Sequence, residues 1–295
     1  MGQQDIDDAV RLAAGKDAAI LFVGRQEEWD SEGHDLPDMV LPGAQNALIA
    51  AVAAVNPNTI VVLQTGGPVE MPWLDRVTSV IQFWYPGQEV GHAVADVLSG
   101  VAYPGGRLPQ TFPLRMKDNS AWSDDTLTYP GKGGHVRYDE GVFVGYRHHD
   151  SFNVPTLFPF GFGLGYTEFD WGDAKADAGV MTEAGIAVTV PLANTGKTDG
   201  VEVVQLYVRP DTMKADVPVA RPEKELRAFA RLKLKPGERG TAELRVLPRD
   251  LAYFNIGRQR WVAPAGRYEL VVAADAGDIR QRLPVDLQAE WSEPA

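Results

Sequence analysis

The chain reads as an α/β sandwich, a mostly parallel sheet with flanking helices, followed by an all-β sandwich of immunoglobulin or fibronectin III-like type. Two periodicities predict this. Over roughly the first 110 residues, helical spacing of apolar residues alternates with short continuous apolar runs, and from about residue 170 the pattern changes to period two. The composition agrees: 44% hydrophobic and 23% charged residues are globular values, and 30 Gly with 21 Pro favour turns over long helices. At 295 residues, one large domain or two ordinary ones can each bury a core.

Ile6, Val10 and Ala13 fall at i, i+4 and i+7 and share one face of a first helix. Residues 18–23 (AAILFV) are continuously apolar, which predicts a strand buried on both sides. After a polar loop, Leu48, Ile49, Val52 and Val55 mark a second helix, stopped by Asn56-Pro57-Asn58. Residues 59–64 (TIVVLQ) and 79–84 (SVIQFW) predict two further strands. Val90, Val94, Val97 and Leu98 give a third helix, with Gly100 as its C-terminal cap. Strand-helix-strand order with short connections makes the sheet mostly parallel, and ligands of such sheets sit at the carboxyl ends of the strands. The loops that matter are therefore 24–42, 65–73 and 85–88.

In the second half, Ile186, Val188, Val190 and Leu192 alternate with smaller residues and run into an Asn194-Thr195-Gly196 turn. Val204, Leu206 and Val208 alternate again, as do Ala242, Leu244 and Val246, while Lys235-Pro236-Gly237-Glu238 and Pro264-Ala265-Gly266 are turns. About seven short strands over some 120 residues predict the sandwich. Residues 112–165 are rich in Gly, Pro and aromatics without clear periodicity and read as an ordered connector. The expected organisation is an α/β domain over 1–115, a connector over 116–165 and a β-sandwich over 166–295.

The formal charge of −12 argues against nucleic acid or an anionic membrane as partner and suits a neutral ligand. With no cysteine, disulfides, thiolate chemistry and Cys-ligated zinc are excluded. No apolar run approaches the roughly 20 residues that span a bilayer. The acidic, helix-patterned start MGQQDIDDAVRLAAGKD does not read as a signal peptide, and the compartment of the parent protein stays open.

The most informative stretch is Glu27-Glu28-Trp29-Asp30-Ser31-Glu32-Gly33-His34-Asp35, with five carboxylates in nine residues on the loop after a strand. Two readings stay open on physics alone: a solvated acidic loop or charged helix start, and a ligand site. Gly33 beside Glu32 lets the backbone turn tightly, and Trp29 offers an apolar face on which a sugar ring can stack.

Trp29-Asp30-Ser31-Glu32-Gly33-His34-Asp35 with Leu41-Pro42-Gly43 resembles the W-x-S-E-G-x-D…L-P-G motif of glycoside hydrolase family 3 β-glucosidases. Five further landmarks follow in the family's order. Gly66-Gly67-Pro68-Val69 with Met71-Pro72-Trp73 comes first, then Trp84-Tyr85-Pro86-Gly87-Gln88, then Gly105-Gly106-Arg107-Leu108-Pro109 with Thr111-Phe112-Pro113. Tyr138-Asp139-Glu140-Gly141 and residues 158–164 resemble the connector. Asn194-Thr195-Gly196, residues 204–208 and Lys224-Glu225-Leu226 resemble the family's fibronectin type III-like domain.

The resemblance implies a retaining glycosidase acting on a β-glucoside or oligosaccharide, without cofactor or metal. It implies Glu32 as acid/base, with Trp29, His34 and Asp35 on the substrate side and Asp35 holding the loop. The arginine usual after that aspartate is replaced by Leu36, which puts its contact in doubt. The family's nucleophile is an aspartate on an N-terminal (β/α)₈ barrel, which takes about 250 residues, and no such segment is present here. The expectation is thus one half of a catalytic pair. A non-catalytic carbohydrate-binding or interaction module, and a glycosidase assembled from two carboxylates of this loop or from a homodimer, remain the alternatives.

Other candidates read as structural. Gly66-Gly67-Pro68 lacks the lysine and hydroxyl of a phosphate loop and is a strand-to-loop turn. His148-His149-Asp150 lacks metal-ligand spacing and suits hydrogen bonding in the connector. His92 is a surface or packing residue, and Trp73 and Trp84 belong to the core or to the rim of a sugar pocket.

Overall fold

A computed structural model describes residues 2–33, 35–123, 127–210 and 219–295. They form two compact units, one of residues 2–99 with 112–138 and the other of residues 100–111 with 139–295.

The first unit follows the predicted order. Helix α1 (Gln3–Ala13), strand β1 (Ala19–Gly24), helix α2 (Gln45–Val55), strand β2 (Thr59–Gln64), strand β3 (Ser79–Gln82), helix α3 (Val90–Leu98) and a short extended β4 (Phe112–Pro113) succeed one another. The sheet is parallel, in order β1-β2-β3, with Ala19 beside Thr59 and Ile60 beside Ser79. Ile6 and Ala13 of α1 pack with Leu48 and Val52 of α2 and with Ala19 of β1. Buried Asn56 ties the helix ends together, its amide donating to the Ala13 carbonyl at 3.1 Å and the Lys16 carbonyl at 3.0 Å. Gly100, with φ of 77°, takes the left-handed turn that ends α3.

One expectation is corrected. β1 is packed on one face only: Ala19 and Val23 are buried toward the helices, whereas Ile20 and Phe22 on the opposite face are 44% and 59% exposed. The cause is that both helices packed on β1 lie on one side of it, and among the described residues nothing shields the other. A continuous apolar run therefore signals a strand that can be covered twice, and here it is covered once.

β1 and β2 approach most closely at Gly24. A Cβ there would lie 2.0 Å from the Gln64 carbonyl oxygen, so only glycine fits without moving backbone. Gly24→Ala is expected to lower the stability of this unit by about 1–3 kcal/mol, the usual size of overpacking, read from its denaturant unfolding midpoint.

The second unit begins with helix α4 (Tyr146–Phe152) and a short β5 (Thr156–Phe158), then builds a β-sandwich. Its strands are β6 (Phe169–Trp171), β7 (Lys175–Ala176), β8 (Ile186–Asn194), β9 (Gly200–Pro210), β10 (Glu225–Leu234), β11 (Arg239–Val246), β12 (Tyr253–Asn255), β13 (Arg260–Ala263), β14 (Gly266–Ala273), β15 (Ile279–Leu287) and β16 (Trp291–Pro294). One antiparallel sheet has the order β10-β9-β14-β15. The other is β11-β8-β6 with β7 also on β8, and β12-β13-β16 forms a small third sheet. Alternation works as predicted: Ile186, Val188, Val190 and Leu192, with Leu244 beside them in the same sheet, share one core with Val204, Leu206, Val208 and Leu270 of the other. Glu238 N–H donates to the Lys235 carbonyl at 2.9 Å across the predicted turn, with Gly237 at φ of 75°. Residues 100–111 belong with this sandwich. Arg107 pairs with Glu202 at 2.9 Å, and Leu108 exchanges backbone hydrogen bonds with Phe162 and Gly161.

Candidate active site

The carboxyl ends of the three parallel strands carry the predicted loops, and they meet at Asp30. Its Oδ2 accepts from the Gly66 N–H after β2 at 2.8 Å and from the Tyr85 hydroxyl after β3 at 2.6 Å. Its Oδ1 stands 3.7 Å from the guanidinium of Arg25, the residue that follows β1. Arg25 is only 4% exposed, and its two terminal nitrogens have no hydrogen-bond partner among the described residues. Asp30 is thus the countercharge described for a buried cation. The Tyr85 hydroxyl also lies 3.1 Å from the Arg25 carbonyl. Its pKa is pushed up to about 12, chiefly by burial of the hydroxyl and then by the hydrogen bond and charge of Asp30, so it is a donor at any ordinary pH.

Local backbone geometry supports this junction. Trp84, just before Tyr85, has φ of 53°, a left-handed conformation that bulky residues seldom adopt and that costs of order 1–3 kcal/mol. Its ring packs edge-on against Phe112, centroids 6.1 Å apart. At Gly66 a Cβ would sit 3.1 Å from Tyr85 Cε2 and 3.3 Å from Asp30 Oδ2, tight enough to press on both side chains.

The base of the β1 loop is pinned by Gln45 at the start of α2. Its side chain accepts from Gly24 N–H at 2.7 Å and donates to the Gly24 and Pro42 carbonyls at 2.9 and 3.1 Å. Beyond Glu32, the Tyr129 hydroxyl donates to the Leu36 carbonyl at 2.6 Å. Glu32 therefore lies on a short span held two residues before it and four residues after it.

Of the five carboxylates over residues 27–35, Asp30 alone turns inward, while Glu27, Glu28, Glu32 and Asp35 are exposed. Trp29 is 41% exposed, and its indole N–H donates to Glu28 at 2.9 Å. The charge of Asp35 adds to burial in pushing the Tyr129 hydroxyl up. His34 lies outside the described residues. Glu32, exposed on the loop that follows β1, carries a carboxyl that can exchange a proton with a ligand reaching it.

The sequence reading passed over Arg25 and gave Asp30 and Tyr85 no role of their own. The signal that marks them is a charged residue directly after a buried strand end, with an acid five residues on. Trp73 is core, 1% exposed with its indole N–H on Asn46 at 2.7 Å. His92 is a surface residue 2.8 Å from Glu89 on α3. Buried His149 faces the Val154 carbonyl at 3.1 Å, the connector hydrogen bond expected of it. Among the described residues no cluster of three or more His, Cys, Asp or Glu is placed to hold a metal. No described helix is long and apolar enough to cross a membrane.

The glycosyl hydrolase family 3 C-terminal domain matches residues 2–146, and the fibronectin type III-like domain matches residues 202–276. A β-glucosidase of Rhizobium radiobacter is 56% identical over 98% of this chain and 35% of its own length. The thermostable β-glucosidase B of Acetivibrio thermocellus is 41% identical over 93% of this chain and 35% of its own length. Among solved structures, DesR, a β-glucosidase from Streptomyces venezuelae in complex with D-glucose, superposes with a TM-score of 0.89 at 37% identity, covering 96% of this chain and 35% of that one. The Kluyveromyces marxianus β-glucosidase in complex with glucose gives 0.89 at 37% identity, covering 98% and 34%. The chain spans about a third of the length of these relatives. It belongs to glycosyl hydrolase family 3, of which it carries the C-terminal domain and the fibronectin type III-like domain.

Proposed function

We propose that the chain is the C-terminal part of a retaining, exo-acting β-glucosidase that releases terminal β-D-glucosyl residues, with Glu32 as its acid/base. The observation that carries this is the place of Glu32: exposed, on an anchored loop at the carboxyl edge of a parallel sheet, in a chain whose relatives are named β-glucosidases. In the first step a carboxylate nucleophile attacks the anomeric carbon while Glu32 gives its proton to the departing glycosidic oxygen. In the second, the Glu32 carboxylate takes a proton from the water that releases glucose. Trp29 supplies a stacking face, and His34 and Asp35 are the further substrate-binding residues that the resemblance implies.

The resemblance puts the nucleophile on an N-terminal (β/α)₈ barrel, and the chain covers 35% of the Rhizobium radiobacter relative, which leaves length for one. The apolar Ile20 and Phe22 face is surface of the kind that a further part of the protein covers. The organisation into residues 1–115, 116–165 and 166–295 stands as part of the same proposal.

The test compares the 295-residue chain alone with the same chain joined to the N-terminal two thirds of the Rhizobium radiobacter relative. The isolated chain is expected to leave an aryl β-glucoside intact and the joined enzyme to hydrolyse it. Robust turnover by the isolated chain contradicts the proposal, and glucose binding without turnover in either form points to a binding module instead.

A further inference from the structure

Asp30 gathers the carboxyl ends of all three parallel strands onto one carboxylate, two residues before Glu32. The Gly66 amide after β2, the Tyr85 hydroxyl after β3 and the Arg25 guanidinium after β1 all address it. We infer that Asp30, clasped by Tyr85 and Gly66, is a positioning residue that sets where Glu32 stands for proton transfer and does not itself touch the substrate. This rests on the reading of Glu32 as acid/base.

Three observations favour positioning over general loop chemistry. First, Asp30 is turned inward and its Oδ2 is taken up by two donors, whereas Glu32 is exposed. Second, Arg25 is buried with both terminal nitrogens otherwise unpartnered among the described residues, so its charge holds Asp30 in place at the strand end. Third, the clasp is built on special backbone: left-handed Trp84 directs Tyr85, and a Cβ at Gly66 would press on both Asp30 and Tyr85. With Tyr129 on the Leu36 carbonyl, the span carrying Glu32 has a fixed point at each end. Releasing the Asp30 end lets Glu32 drift without removing any group that binds sugar.

The experiment has two arms. In the 295-residue chain, Tyr85→Phe and Asp30→Asn are expected to speed hydrogen exchange of amides over residues 29–36. Tyr85→Phe removes one oxygen from a residue that is 51% exposed and so spares the fold. In the joined enzyme, both variants are expected to lower kcat for cellobiose about 10- to 100-fold, the size of an ångström-scale misplacement, with KM little changed. A 2,4-dinitrophenyl β-glucoside, whose leaving group needs no proton, should keep its kcat/KM. In a Glu32→Gln background, adding Tyr85→Phe should cost nothing further on cellobiose. If Glu32→Gln shows the leaving-group split but Tyr85→Phe and Asp30→Asn slow both substrates alike, or neither, Asp30 is not a positioning residue and the Glu32 reading stands. If Glu32→Gln shows no split, the Glu32 reading fails and the inference falls with it. Unchanged exchange over 29–36 in both variants overturns the inference whatever the kinetics.

Discussion

In the joined enzyme, Glu32→Gln is expected to cut kcat/KM for cellobiose by about 10²- to 10⁴-fold, the range of a lost general acid. Glutamine matches glutamate in size and leaves the Asp30 and Leu36 anchors in place. What it lacks is a transferable proton. A dinitrophenolate departs without one, so kcat/KM for that glucoside should hold while its kcat falls. The fall in kcat comes from the second step, where water now lacks its base, and it should appear as a burst of phenol followed by slow turnover. The basic limb of the kcat/KM profile for cellobiose, set by ionisation of the acid, should also disappear. An equal loss on both glucosides would contradict the role assigned to Glu32.

The largest stability effect is expected in the second unit, at Lys224. Its side chain is 4% exposed, lies 2.5 Å from Asp150 Oδ2 and sits 5.4 Å from the ring centre of buried Tyr207. Lys224→Ala strands the Asp150 carboxylate in a half-apolar setting and should cost about 3–5 kcal/mol in urea unfolding. Replacing both partners, Lys224→Met with Asp150→Leu, should recover most of that, because the penalty comes from an unpaired buried charge. The pH dependence has a definite sign. Burial raises the Asp150 carboxyl above its ordinary 3.8, outweighing Lys224, so the folded chain holds this proton to higher pH than the unfolded one. The stability it contributes is complete below that value and is lost as pH rises through the raised one. Lys224→Ala should extend the loss to higher pH.

The fold was legible where periodicity is forced by burial on one face. Ile186 to Leu192 and Val204 to Val208 could pack only as strands of a sandwich, and the helix faces of Ile6 and Leu48 needed a sheet between them and solvent. Residues 18–23 misled in one respect, because hydropathy records what a strand can bury and not what covers it. Helix α4 was missed because its sequence YRHHDSF has little apolar spacing, and polar and aromatic contacts hold it instead. Asp150 reaches Lys224, and Tyr146 packs tilted against Phe160 and edge-on against Tyr207.

At the site, the motif around Glu32 was visible because its residues are adjacent in sequence. The clasp was not, since Arg25, Asp30, Gly66 and Tyr85 are brought together only when three parallel strands align their ends. The structure also leaves Glu32 exposed, and on the proposed acid/base role an apolar enclosure would have to be supplied from outside this loop.

The most direct measurement is the product formed when Glu32→Gln, in the joined enzyme, turns over 2,4-dinitrophenyl β-glucoside in the presence of azide. Azide needs no base to attack the glycosyl-enzyme intermediate, so it should restore turnover and yield the β-glucosyl azide, identified by the NMR coupling at its anomeric proton. An α-glucosyl azide would make Glu32 the nucleophile, and the absence of any azide product or rescue would contradict its role as acid/base.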